Sequence, residues 1–150
     1  MAKALGSMFE LALRYLLLLH ASGKKALTES RLSAEDFVCT YAADFGLAAD
    51  NLNGNSGYRY GEYASRCSMA NAAIRYLVLH GLSKPSADAQ GFTYTITDAG
   101  VEYISTLNSV YADNYYRLAC TVIDHYAHVT DDELVRHIWA KTSSERREET

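Results

Sequence analysis

The chain has 150 residues, 49% of them hydrophobic and 21% charged, with a formal net charge of -4. That length suits one domain able to bury roughly two thirds of its unfolded surface, and the composition is far from that of a disordered or fibrous chain. The acidic balance argues against a free-standing nucleic-acid binder, and Cys39, Cys67 and Cys120, widely spaced and without a CxxC pair, argue for reduced thiols rather than a disulfide framework or a zinc site.

The first segment, MAKALGSMFELALRYLLLLHASG, imitates a secretory signal, with Lys3 before an apolar run and Ala21 and Ser22 where cleavage would fall. Glu10 and Arg14 interrupt that run, and the uninterrupted piece from Tyr15 to Leu19 is too short for a signal core or a membrane span. A cytoplasmic protein without a membrane segment is expected. Leu5 to Ala21 reads as a helix that is apolar nearly all round, so its own domain or a partner subunit must cover it.

Thr28 can start a short helix reaching Leu32, and Ser33 with Asp36 three residues later reads as a capping box for a second, longer helix carrying Phe37, Val38, Tyr41 and Phe45. Gly46 is its expected stop. The glycine-rich stretch NLNGNSGYRYGEYASR follows, with Gly61 expected to permit a turn into the next helix. That helix, about Gly61 to His80, carries a stripe of Tyr63, Cys67, Ala70, Ile74, Leu77 and Val78.

The period then changes. Pro85 marks an edge strand, 86–90 is a polar tip, and FTYTIT alternates as a strand. Thr97 caps a helix with Val101, Ile104 and Leu107 facing inward, another helix spans about Val110 to Ala127, and Thr130 with Glu133 forms a capping box for a last one. Residues 142–150 read as a solvated or disordered tail after a single domain of 1–141. The expected fold is α+β and predominantly α-helical: a winged helix-turn-helix core with a small β-hairpin wing and extra C-terminal helices.

Chemistry is sparse. Gly54, Gly57 and Gly61 miss both phosphate-loop spacings, and no lysine follows them. His125 and His128 could share a helix face, with His137 nearby, but Asp131, Asp132 and Glu133 are explained as first-turn carboxylates after Thr130. His20 and His80 sit at helix ends as C-terminal caps. With no nucleophile elbow and no metalloprotease motif, neither an enzyme nor a cofactor or metal is expected. For DNA, the long helix offers Arg66 and Arg75 and the wing offers Lys84; so few phosphate contacts make these weak candidates.

The segments LRYLLLLHASGKKALTESRLSAEDFVCTYAADFG, LNGNSGYRYGEYASR, YLVLHGL and GFTYTITDAGVEYISTLNSVYADNY together resemble the small middle component of prokaryotic three-component ABC systems, the group that includes Lamassu-type antiphage defence. The resemblance runs over about residues 11–138, and RYGE with its following SR, GFTY and SVYA are its most specific words. It implies a non-enzymatic subunit joining an SMC-like or Rad50-like ABC ATPase to an effector, often a nuclease, in antiphage or antiplasmid defence. It also implies that Arg59, Glu62 and Arg66 serve partner binding and that DNA is met through the assembled complex. This chain has Tyr60 where the family commonly has a small polar residue. The alternative is a winged-helix transcription regulator that binds DNA itself.

Overall fold

A computed structural model describes residues 7–54, 58–89 and 91–149, with side chains through 144. The expected helix start at Leu5, Gly57 of the glycine-rich stretch, Gln90 at the hairpin tip and Thr150 of the tail lie outside the described residues. Six α-helices and one two-stranded antiparallel hairpin make up the described structure, an α+β and mostly helical arrangement as expected.

Helix α1, Met8–Ser22, starts where Ser7 accepts a hydrogen bond from the Glu10 amide. Leu11, Tyr15, Leu16, Leu18 and Leu19 are all fully or almost fully buried, and the cover comes from this chain: α1 packs on the helices that follow and on the hairpin. The all-round apolar surface therefore needs no partner subunit along most of its length. Among the described residues no helix is long and apolar enough to cross a membrane.

Helix α2, Glu29–Thr40, is the centre of the fold, with every residue from Arg31 to Thr40 buried. Its N-cap is Thr28, whose hydroxyl accepts from the Arg31 amide. The second start expected at Ser33 and Asp36 does not exist. Ser33 donates back to the Glu29 carbonyl, and Asp36 turns inward to buried cations, which leaves one continuous helix where the capping-box pattern predicted two. A short 3-10 turn, Ala42–Phe45, then ends at Gly46.

Helix α3, Arg59–Leu79, buries Tyr63, Ala70, Ala73, Ile74 and Leu77, close to the predicted stripe. Gly61 lies inside its first turn and has no positive φ, so the turn-permitting role expected of it is incorrect. A Cβ there would stand 2.7 Å from Tyr58 Cδ2. The glycine makes room for the Tyr58 ring.

Strands β1, Ser83–Asp88, and β2, Gly91–Ile96, pair in antiparallel register with Pro85 opposite Tyr94. Leu27 adds a bridge to Tyr94 through both backbone bonds, 3.0 and 2.9 Å, which ties the hairpin to the start of α2. Helix α4, Asp98–Ser105, is capped by Thr97 as predicted. Val101 is 41% exposed rather than inward, and Gly100 takes the buried position because the Leu82 carbonyl passes 2.4 Å from where a Cβ would stand.

Helix α5, Val110–His125, begins at the Ser109 cap, and α6, Asp131–Glu149, begins with the predicted reciprocal box: Thr130 N to Glu133 Oε1, 3.0 Å, and Glu133 N to Thr130 Oγ1, 3.1 Å. Helix α6 continues past Lys141, where the tail was expected to start. Thr142 is buried and its hydroxyl donates to the Ile138 carbonyl.

Candidate functional site

Helix α2 carries its ionic centre at Asp36, whose side chain is fully buried. Its carboxylate accepts four hydrogen bonds: Arg14 Nε at 2.8 Å and Nη2 at 3.2 Å, Arg66 Nη1 at 3.2 Å, and Tyr115 Oη at 2.6 Å. Three helices, α1, α3 and α5, thus converge on one oxygen pair of α2. Burial alone would raise the Asp36 carboxyl, but Arg14 and Arg66, helped by bonds from Arg14 and Tyr115, outweigh it and hold the group below the usual carboxylate range. Burial and the adjacent carboxylate push Tyr115 upward, so its phenol stays protonated and donates.

The network continues outward. Arg66 donates also to Thr40 Oγ1 at 2.7 Å and to Glu62 Oε2, and Glu62 Oε1 accepts from Tyr41 Oη at 2.6 Å. The Arg59 guanidinium lies 4.6 Å over the Tyr41 ring, and its Nε reaches Asp44 Oδ2 at 2.5 Å. Asn51 closes the outer end, accepting from the Ala43 amide and donating to Asp44. The structure therefore brings the three sequence-derived residues Arg59, Glu62 and Arg66 together, in one string of contacts running from Asp44 to Arg14. Arg66 is only 7% exposed.

Of the DNA candidates, Arg75 and Lys84 are exposed and Arg66 is withdrawn into this network. Of the clustered histidines, His125 and His137 both neighbour the Tyr126 ring. His125 packs on Tyr126, His137 lies against Phe45, and His20 lies against Tyr116. His80 is the C-cap of α3, where its backbone N–H bonds to the Tyr76 carbonyl while its ring lies on Tyr76. Among the described residues no group of three His, Cys, Asp or Glu is arranged to hold a metal. Cys39 is buried, Cys67 half-buried and Cys120 exposed, all three as free thiols.

A second clamp escaped the sequence reading. Arg31 Nε binds Glu35 Oε2 at 2.8 Å, Nη1 binds the Val129 carbonyl and Asp131, and Nη2 binds the Tyr126 carbonyl at 2.7 Å. By binding the Tyr126 and Val129 carbonyls it ties α2 to the α5–α6 turn. Arg14 and Asp36 were also missed. A guanidinium inside the apolar run of α1 and a carboxylate directly before Phe37 and Val38 carry a usable signal, since a buried charge requires an opposite one.

Beside this network a groove of about 930 Å³ opens between α1, α3 and the start of α5. Arg14, Glu62 and Arg66 form part of its floor, while Leu13, Leu52, Met69 and Leu107 give it apolar walls.

The family model described as ABC-three component (ABC-3C) system Middle Component 2 matches residues 4–148. No match to the chain was found among curated proteins or among solved structures.

Proposed function

The chain belongs to the Middle Component 2 family of ABC-three component systems, and on that premise we propose that it is a non-enzymatic subunit bridging an SMC-like ABC ATPase to an effector such as a nuclease. Middle components of these systems are accessory subunits that partner the other components. The family match over nearly the whole chain is the observation that carries the reading. One feature of the structure supports it: the surface has a large apolar groove of the kind partners fill. The role belongs to Lamassu-like defence against phage or plasmid DNA in the cytoplasm.

Arg59, Glu62 and Arg66 serve this function by fixing the wall on which a partner docks, with Glu62 and Arg66 reaching the groove itself. Co-expression of the tagged chain with the other two components tests the proposal. Recovery of both is expected, and recovery of neither would sink it.

A winged-helix regulator is the second reading, favoured by the hairpin that follows α3 and by its bridge to Leu27. In this reading α3 is the recognition helix and β1–β2 the wing. The exposed cations it can use are few: Arg75 on the helix and Lys84 on the hairpin.

A further inference from the structure

The groove on the outer face of α1 adjoins a second hollow of about 200 Å³, and Leu13 lines both. Phe9, 44% exposed, lines the second hollow, Tyr111, 37% exposed, lines the groove, and Val110, 77% exposed, extends apolar surface beside Tyr111. We propose that this groove seats an amphipathic helix of another component of the same complex, with an apolar seam along α1 and a Lys or Arg at the Glu10 end. The assignment rests on the bridging function proposed above and adds to it where the partner binds and what chemistry it brings.

Charge decides between occupants. Among the described residues, four ionised side chains line the groove: Arg14, Arg66, Glu62 and Glu10. Arg14 and Arg66 are already matched by Asp36 behind them and by Glu62. Glu10 is left over, and among the described residues no cation lies within ion-pair distance of it. With Asp36 counted behind the two arginines, the described charges at the groove sum to one excess negative charge, on a chain whose total is -4. A phosphate or an acidic segment would add to that excess, whereas a basic side chain offsets it.

Backbone chemistry decides the form of the occupant. The described walls come from helices α1, α3 and α5 and from Tyr41, Leu52, Asn53, Leu107 and Ser109, so among the described residues no strand edge is offered for an extended peptide to pair with. An extended segment laid on Leu13, Leu17, Met69 and Leu107 would bury backbone N–H and C=O groups without partners. A helix satisfies its own backbone and presents apolar residues at i, i+3, i+4 and i+7 to such a trough.

The test uses the full chain, tagged and co-expressed with its two partner components. Met69→Glu and Tyr111→Glu place a charge in the trough, Glu10→Lys reverses the leftover charge, and Phe92→Glu alters the hairpin, 61% exposed and outside the groove. Each of the three groove variants should recover one component about tenfold less than the wild type, as expected at an anchor position, while Phe92→Glu recovers both. Thermal melts of the purified chains identify any variant that has unfolded, and Glu10→Lys and Tyr111→Glu, at accessible positions, keep the test valid should Met69→Glu do so. Folded groove variants that retain both components overturn the groove assignment alone. A wild-type chain that recovers neither overturns the bridging function instead. A photo-crosslinker at position 111 should join a helical segment carrying a basic residue, and crosslinks to a strand or to an acidic segment would overturn the stated occupant.

Discussion

Arg14 and Asp36, 22 residues apart, meet as a two-point ion pair inside the protein, Nε to Oδ1 at 2.8 Å and Nη2 to Oδ2 at 3.2 Å. The residue that breaks the apolar run of α1 is therefore the one that fixes α1 on α2. Arg66 and Tyr115 bind the same carboxylate, so the relative placement of four helices depends on one side chain.

Asp36→Asn leaves two buried guanidinium groups facing a neutral amide. It should cost about 3–5 kcal/mol, the usual penalty for breaking a buried ion pair from one side. Tyr115→Phe removes only one bond to the charged group and should cost about 1.5–3 kcal/mol. Urea unfolding of both variants checks the order; a smaller loss for Asp36→Asn than for Tyr115→Phe contradicts the placement of Asp36 at the centre.

Glu35 and Asp36 are neighbours in sequence with opposite acid–base behaviour. Burial raises Glu35 and Arg31 offsets only part of the rise, while its Oε1 has no hydrogen-bond partner among the described residues. A raised carboxyl contributes stability below its unfolded value, about 4.3, and loses it as pH rises through the higher folded value. The depressed Asp36 contributes above about 3.9 and loses its share as pH falls through its lower folded value. Glu35→Gln removes only the first dependence. Its stability relative to wild type should therefore improve as pH rises from about 4 to about 8. A pH-independent difference in urea melts would show that Glu35 titrates like a surface glutamate.

Two helical glycines should respond differently to alanine. At Gly100 the added Cβ meets the Leu82 carbonyl at 2.4 Å and Ile96 Cγ1 at 2.6 Å, so overpacking should cost about 1–3 kcal/mol. At Gly61 the obstacle is the ring of Tyr58, 50% exposed and able to swing away. There a helix-propensity gain of up to about 1 kcal/mol offsets much of the strain. Thermal unfolding should place Gly100→Ala well below Gly61→Ala, and equal losses would refute the close packing of Leu82 over α4.

The elements with local signals were legible in the sequence. Thr97, Thr130 and Glu133 form the caps their spacing predicts, and the alternation of Phe92, Tyr94 and Ile96 gives the strand. Ser33 and Asp36 misled because a capping box and a buried acid have the same letters. The competing demand came from Arg14, Arg66 and Tyr115, which are close only after folding. Arg59, Glu62 and Arg66 were legible as a group through family resemblance, but their joining through Tyr41 was not, because a ring placed between two charges leaves no spacing rule in the chain.

Direct DNA binding makes a separate prediction. With Arg66 buried, the exposed candidates are Arg75 and Lys84, and neutralising two phosphates gives a log–log salt slope of only about -2. The isolated chain should not retard duplex DNA at about 150 mM salt. Retardation with a steep slope that Arg75→Ala and Lys84→Ala abolish would support the regulator instead.

Bridging is tested most directly by omission. The tagged ABC ATPase component is expressed with the third component, with and without this chain, and the recovered third component is measured. Recovery is expected with the chain present, and a loss of about tenfold or more without it. A third component that stays on the ATPase in the absence of this chain would contradict bridging.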